Sequence, residues 1–99
     1  MQSAEGNAVG FLFAYPLQAG TPANNNKILW VVRAPRDGAS LTIEGHPLGA
    51  AAPIEHEEAS PDASPGEIYP STINMPTPGC WHLTLRWNGN TATLDLPYV

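Results

Sequence analysis

The sequence predicts an all-β protein, an immunoglobulin-like antiparallel β-sandwich of about six or seven strands. Short apolar runs recur along the chain at a spacing of roughly 8–14 residues, as the strands of a two-sheet sandwich do. The chain has 11 prolines and 9 glycines among 99 residues, and most of them fall between these runs, where turns are expected. The last twenty residues hold two alternating runs around an Asn-Gly step, which is the strongest local signal for a β-hairpin.

The closing hairpin shows the clearest alternation in the chain. From residue 81 to residue 87 every second side chain is large and apolar, and residues 92–98 repeat the pattern after the turn. Period two places one face of each strand against the core. A loop at Asn88-Gly89 would set His82 opposite Asp95, whereas a loop at Gly89-Asn90 would set Thr84 opposite Asp95. Both registers keep apolar residues facing each other, so the register stays open.

Five further strands are predicted ahead of the hairpin from shorter runs: residues 9–17, 27–34, 41–44, 54–57 and 68–75. The run at 27–34 is apolar on both faces, which favours a central strand. Phe11, Phe13 and Tyr15 share one face of the first strand, and Pro70 marks an edge or a bulge. Residues 35–38 read as a turn. Residues 1–8 are small and polar and predict a flexible N-terminal segment, so residues 9–99 form the single predicted domain.

Charge and composition exclude several classes of function. Four basic residues stand against nine acidic ones, for a net charge of −5. Nucleic-acid binding needs clustered Lys and Arg to neutralise phosphates, and an anionic membrane surface needs them as well. No apolar run approaches the roughly 18–20 residues that span a bilayer. A single cysteine rules out an internal disulfide and fits either a reducing compartment or an exported domain.

Three stretches carry a resemblance to a class of proteins. The run Asn-Lys-Ile-Leu-Trp-Val at 26–31, the Tyr-Pro-Ser step at 69–71 and the Pro-Gly-Cys-Trp step at 78–81 resemble segments of small exported proteins and lipoproteins of the bacterial cell envelope. The resemblance covers most of residues 9–98 and brings no known activity with it. It implies an immunoglobulin-like sandwich and an extracytoplasmic location, periplasmic, secreted or on the cell surface. This sequence departs from the lipoproteins in having no lipid-acceptor cysteine near its N-terminus. The resemblance therefore implies that a leader or anchor preceded Met1.

One soft-ligand set is a candidate metal site. Cys80 and His82 are two apart in a predicted strand, so their side chains leave the same face, and Met75 lies five residues earlier. Cys, His and Met are ligands that copper prefers. His46 and His56 are candidates for a second histidine. The structural alternative is that Cys80 is a small buried hydrophobe, Met75 fills core, and His82 pairs with a polar neighbour.

Trp87 is the candidate binding residue, because it stands at the tip of the predicted hairpin. An aromatic ring in that position could anchor a partner or a sugar ring. The alternative is that Trp87 caps the end of the sandwich.

No catalytic constellation emerges from the sequence. Ser71, His82 and Asp95 supply the residue types of a hydrolytic triad, but no Gly-x-Ser-x-Gly elbow accompanies them. We therefore expect a non-catalytic extracytoplasmic module that has no cofactor. We expect this module to bind another envelope protein. The alternative is a copper or other soft-metal protein that uses Cys80 and His82. The partner and the oligomeric state stay open.

Overall fold

A computed structural model describes residues 1–13, 15–20, 26–33, 40–51, 54–59 and 68–99. The strands in these ranges are β1 (Ala8–Leu12), β2 (Lys27–Val32), β3 (Leu41–Pro47), β4 (Glu55–Ala59), β5 (Ile68–Thr72), β6 (Gly79–Trp87) and β7 (Asn90–Tyr98). They form two antiparallel sheets, a three-stranded sheet in the order β1-β2-β5 and a four-stranded sheet in the order β4-β3-β6-β7. This confirms the predicted sandwich. The turn predicted at 35–38 lies outside the described residues.

The strand order follows from the burial pattern of each strand. β2 is central in its sheet, as its two apolar faces predicted. β5 lies at the edge of the same sheet. Pro70 has no backbone N–H to donate, and at an edge no further strand needs that donor.

Among the described residues, no helix is long and apolar enough to cross a membrane.

The core lies between the two sheets and is built around three tryptophans. Trp30, Trp81 and Trp87 are 0%, 1% and 2% exposed, and apolar side chains from both sheets surround them. A buried indole needs a partner for its N–H group. Trp30 Nε1 donates to the Ser71 hydroxyl at 3.1 Å, which ties β2 to the edge strand β5 through a side-chain bond.

The hairpin of β6 and β7 turns at Asn88-Gly89. Asn88 and Gly89 have φ values of 42° and 78°, as the two central residues of a type I′ turn require. Leu83 pairs with Leu94 across the strands, and His82 pairs with Asp95. The first of the two registers considered from the sequence is thus the observed one.

The N-terminal segment, expected to be flexible, is hydrogen-bonded to both sheets. The amino group of Met1 donates to Gly10 O at 2.9 Å on β1, and Ala4 N donates to Thr93 O at 2.8 Å on β7. Between them Ser3 is buried, and its hydroxyl accepts from the N–H of Ala8 at 3.1 Å. Small residues let this segment lie close to both edge strands, a role that its polar composition did not indicate.

Strand boundaries differ from the predictions at several places. β1 ends at Leu12, and the chain then crosses to the other sheet, where Leu17 forms a parallel bridge with Tyr98. β5 ends at Thr72, although Met75 beyond it still packs in the core. β3 extends to Pro47 instead of stopping at residue 44, and this extension brings His46 onto the four-stranded sheet.

Candidate functional site

The outward side of the three-stranded sheet is apolar. Alternate residues of each strand point into the core, and the register aligns the remaining ones in rows across the sheet. One row joins Val9, Val31 and Ile68, and the next joins Phe11, Leu29 and Pro70. We call these six residues, together with Phe13, the apolar face.

The aromatic end of the apolar face is well exposed to solvent. Phe11 and Phe13 are 54% and 60% exposed. Phe13 N donates to Lys27 O at 3.1 Å, which continues the ladder beyond β1 and keeps both rings on the same side. The Lys27 ammonium lies 5.5 Å from the centre of the Phe13 ring, within the range of a cation–π contact.

Within the described ranges, charge is distributed unequally between the two sides of the sandwich. Lys27 begins β2, and Arg33 follows its other end, so a basic residue flanks the apolar face at each end of its central strand. Arg33 Nη2 donates to Gly6 O at 3.0 Å, and a shallow groove of about 200 Å³ lies beside it. The acidic residues within the described ranges lie on the four-stranded sheet or the N-terminal segment: Glu5, Glu44, Glu55, Glu57, Glu58 and Asp95.

The outward side of the four-stranded sheet is polar and carries two neighbouring histidines. His46 on β3 pairs with His82 on β6, which in turn pairs with Asp95 on β7. The His82 Nδ1 atom lies 2.7 Å from Asp95 Oδ1, and the two ring centres of His46 and His82 are 5.3 Å apart. His46 Nδ1 is 3.0 Å from the carbonyl oxygen of Pro47. We call His46 and His82 the histidine pair.

The candidate ligands Cys80, His82 and Met75 are not brought together. Cys80 is exposed and shares the outward face of β6 with His82. Met75 is buried in the core, and its methyl group packs against Gly45 on the inward side of β3. The sheet therefore separates the thioether from the other two side chains. In the part of the chain that the structure describes, no three His, Cys, Asp or Glu side chains are placed to hold one metal ion.

Trp87 lies inside the sandwich. Its indole N–H donates to Arg33 O at 3.1 Å, and its ring belongs to the core cluster. The ring is buried, and its surroundings are core side chains.

The residue types of a hydrolytic triad are also separated. Ser71 lies on β5 in the three-stranded sheet, where its hydroxyl accepts from Trp30, whereas His82 and Asp95 lie on the outward side of the other sheet.

The sequence indicated that Phe11 and Phe13 share one side of a strand, but it did not indicate the whole apolar face. The feature that could have pointed to this face is the run at 27–34, which is apolar on both sides.

Comparison with known proteins adds no relative. No family model matches the chain, and neither a curated protein nor a solved structure matches it. The resemblance to exported envelope domains stays a prediction.

Proposed function

We propose that this chain is a non-catalytic module that binds another protein through the apolar face. The observation that carries the proposal is an outward sheet surface with apolar side chains in two aligned rows. Contiguous apolar patches larger than a few hundred Å² are rare on soluble monomers, and exposed patches of that size mark interaction sites. Covering it would remove apolar area from water at about 25 cal/mol per Å².

The basic residues at the two ends of the apolar face favour a different partner over a second copy of the chain. A symmetric dimer buries the same patch on both subunits. With the two-fold axis along β2, Lys27 would meet the partner's Lys27. With the axis across β2, Lys27 would meet the partner's Arg33. Either packing sets like charges against each other in an environment that screens them poorly, and like-charge contacts oppose association.

The chemistry of the apolar face also indicates what kind of surface fits it. The side chains of the two rows offer no hydrogen-bond donors or acceptors for a sugar or a nucleotide. The partner that fits is a protein segment with apolar side chains at its centre and Asp or Glu at its ends, which pair with Lys27 and Arg33. A net charge of −5 on the chain opposes adsorption to an anionic membrane.

Selection from a phage-displayed library of random peptides tests this proposal. We expect the enriched peptides to carry apolar side chains at their centre and acidic side chains at their ends. Phe11→Ala should weaken their binding by at least about fivefold, because a truncated interface anchor costs on the order of 1 kcal/mol or more. Leu48→Ala is the matched control: Leu48 is 57% exposed and lies outside the apolar face.

Two outcomes would contradict the proposal. One is an enrichment of peptides whose affinity is unchanged by Phe11→Ala. The other is a concentration-dependent dimer in sedimentation velocity that Phe11→Ala abolishes, since the apolar face would then pair with itself.

The exported location is part of the same proposal and rests on the resemblance described above. Fractionation of cells that produce the natural full-length protein tests it, and recovery with the cytoplasmic fraction would contradict it.

A further inference from the structure

We propose that the histidine pair binds one divalent transition-metal ion on the outward side of the four-stranded sheet. This site lies on the opposite side of the sandwich from the apolar face and is independent of the proposed function. It replaces the Cys80, His82 and Met75 set with two imidazoles on adjacent strands.

The spacing of the two rings fits one shared ion. A metal–nitrogen bond is about 2.0–2.1 Å, so a ring centre lies about 3.2 Å from the metal that its nitrogen binds. Two rings at a tetrahedral angle then have centres about 5.2 Å apart. The observed separation between His46 and His82 is 5.3 Å, with a tilt of 44° between the ring planes. The cross-strand register holds the two rings at this distance without a loop.

Hydrogen bonds orient the rings for metal binding. His82 lies between Asp95 on β7 and His46 on β3, and its Nδ1 faces Asp95 at 2.7 Å. With Nδ1 held by Asp95, Nε2 is the nitrogen of His82 that is left to bind a metal. A carboxylate that accepts from one ring nitrogen and leaves the other for the metal is the usual outer shell of a metal-bound histidine.

His46 has the matching arrangement. Its Nδ1 lies 3.0 Å from the carbonyl oxygen of Pro47, an acceptor that only an N–H group can satisfy. In that tautomer Nε2 carries the lone pair. Both members of the pair thus use Nδ1 for structure and leave Nε2 as the ligand atom.

The ligand set selects the class of ion. Imidazole suits Zn²⁺, Ni²⁺ and Cu²⁺, and among these Cu²⁺ binds nitrogen ligands most tightly. Because no third His, Cys, Asp or Glu converges on the pair within the described ranges, water completes the coordination.

Calorimetric titration of the full chain with Cu²⁺ and Zn²⁺ tests the proposal. We expect one ion per chain, and at least a tenfold loss of affinity in His46→Ala and in His82→Ala. His56→Ala and Cys80→Ser are the matched controls, since both side chains lie on the same sheet outside the pair. They should bind as the unaltered chain does. Amide spectra of every variant establish that the sandwich is folded.

Asp95 acts as a positioning residue and has its own test. Asp95→Ala should weaken binding by about 10–100-fold, the range found for outer-shell partners. Nitrogen chemical shifts should report the Nδ1–H tautomer of His82 in the unaltered chain and a mixture of tautomers in the variant. A purely structural role of Asp95 would leave the tautomer unchanged.

Three results would overturn the proposal. They are no binding of either ion at millimolar concentration, binding that survives His46→Ala, and binding that is lost in Cys80→Ser or His56→Ala.

Discussion

Two strand glycines give a matched test of how rigid the core is. Gly10 on β1 and Gly45 on β3 both point into the sandwich, and neither has a positive φ. A Cβ at Gly10 would lie 2.7 Å from the Trp30 ring, and a Cβ at Gly45 would lie 2.7 Å from the Met75 methyl group. The same substitution, Gly→Ala, therefore meets the same overlap against two different neighbours.

The neighbours decide the magnitude. Trp30 presents three ring atoms between 2.7 and 3.1 Å from the added Cβ, and the ring is fully buried and hydrogen-bonded to Ser71. Overpacking of this kind destabilises the folded state by about 1–3 kcal/mol. Replacing Gly also lowers the conformational entropy of the unfolded chain, which stabilises the fold by about 0.4–1 kcal/mol. We expect Gly10→Ala to lose about 1–2 kcal/mol.

Gly45→Ala should change the free energy of unfolding by less than about 1 kcal/mol. The overlapping atom is the end of an unbranched side chain with three rotatable bonds, which can move aside at little cost. Urea unfolding of both variants measures the difference through their midpoints, provided the slopes stay equal. An equal loss of stability in the two variants would refute the reasoning, because it would mean that the indole yields as readily as the thioether.

Three further predictions concern single contacts. Tyr98→Phe should lose about 1 kcal/mol, since the hydroxyl donates to Ile73 O at 2.8 Å. Burial raises the pKa of the Tyr98 hydroxyl. Above about pH 10 unfolding therefore releases a proton, and stability falls as the pH rises further. In Tyr98→Phe, stability measured by alkaline unfolding should fall less steeply with pH. Hydrogen bonds from the N–H and hydroxyl of Thr93 lower the pKa of Glu5, so its contribution is present at neutral pH and is lost as the pH falls through that lowered pKa. Glu5→Gln should therefore flatten the acid limb of a stability–pH profile. Gly89→Ala should cost about 1 kcal/mol in thermal unfolding, because its φ is 78°.

The hairpin shows how far alternation alone can go. It identified the inward side of β6 and β7 but could not choose between two registers, because a shift of the loop kept apolar residues opposite each other. The choice lies in the turn. Asn88 and Gly89 both adopt positive φ, and the order Asn then Gly suits that geometry.

The two proposed sites were hidden for different physical reasons. A strand that is apolar on both sides, as β2 is, predicts burial of both sides, and no pattern in one sequence indicates that one of them faces outward. The strand predicted at 41–44 stops short of His46, whose neighbours Gly45 and Pro47 are residue types that strands disfavour. Gly45 instead makes room for Met75, and Pro47 ends the strand.

Amide chemical-shift mapping of a selected peptide on the chain tests the central claim most directly. We predict that the shifted residues cluster on the apolar face, around Phe11, Leu29 and Val31, and that Phe11→Ala removes the effect. Shifts that cluster instead on the outward side of β3, β6 and β7 would contradict the claim and move the binding surface to the polar side of the sandwich.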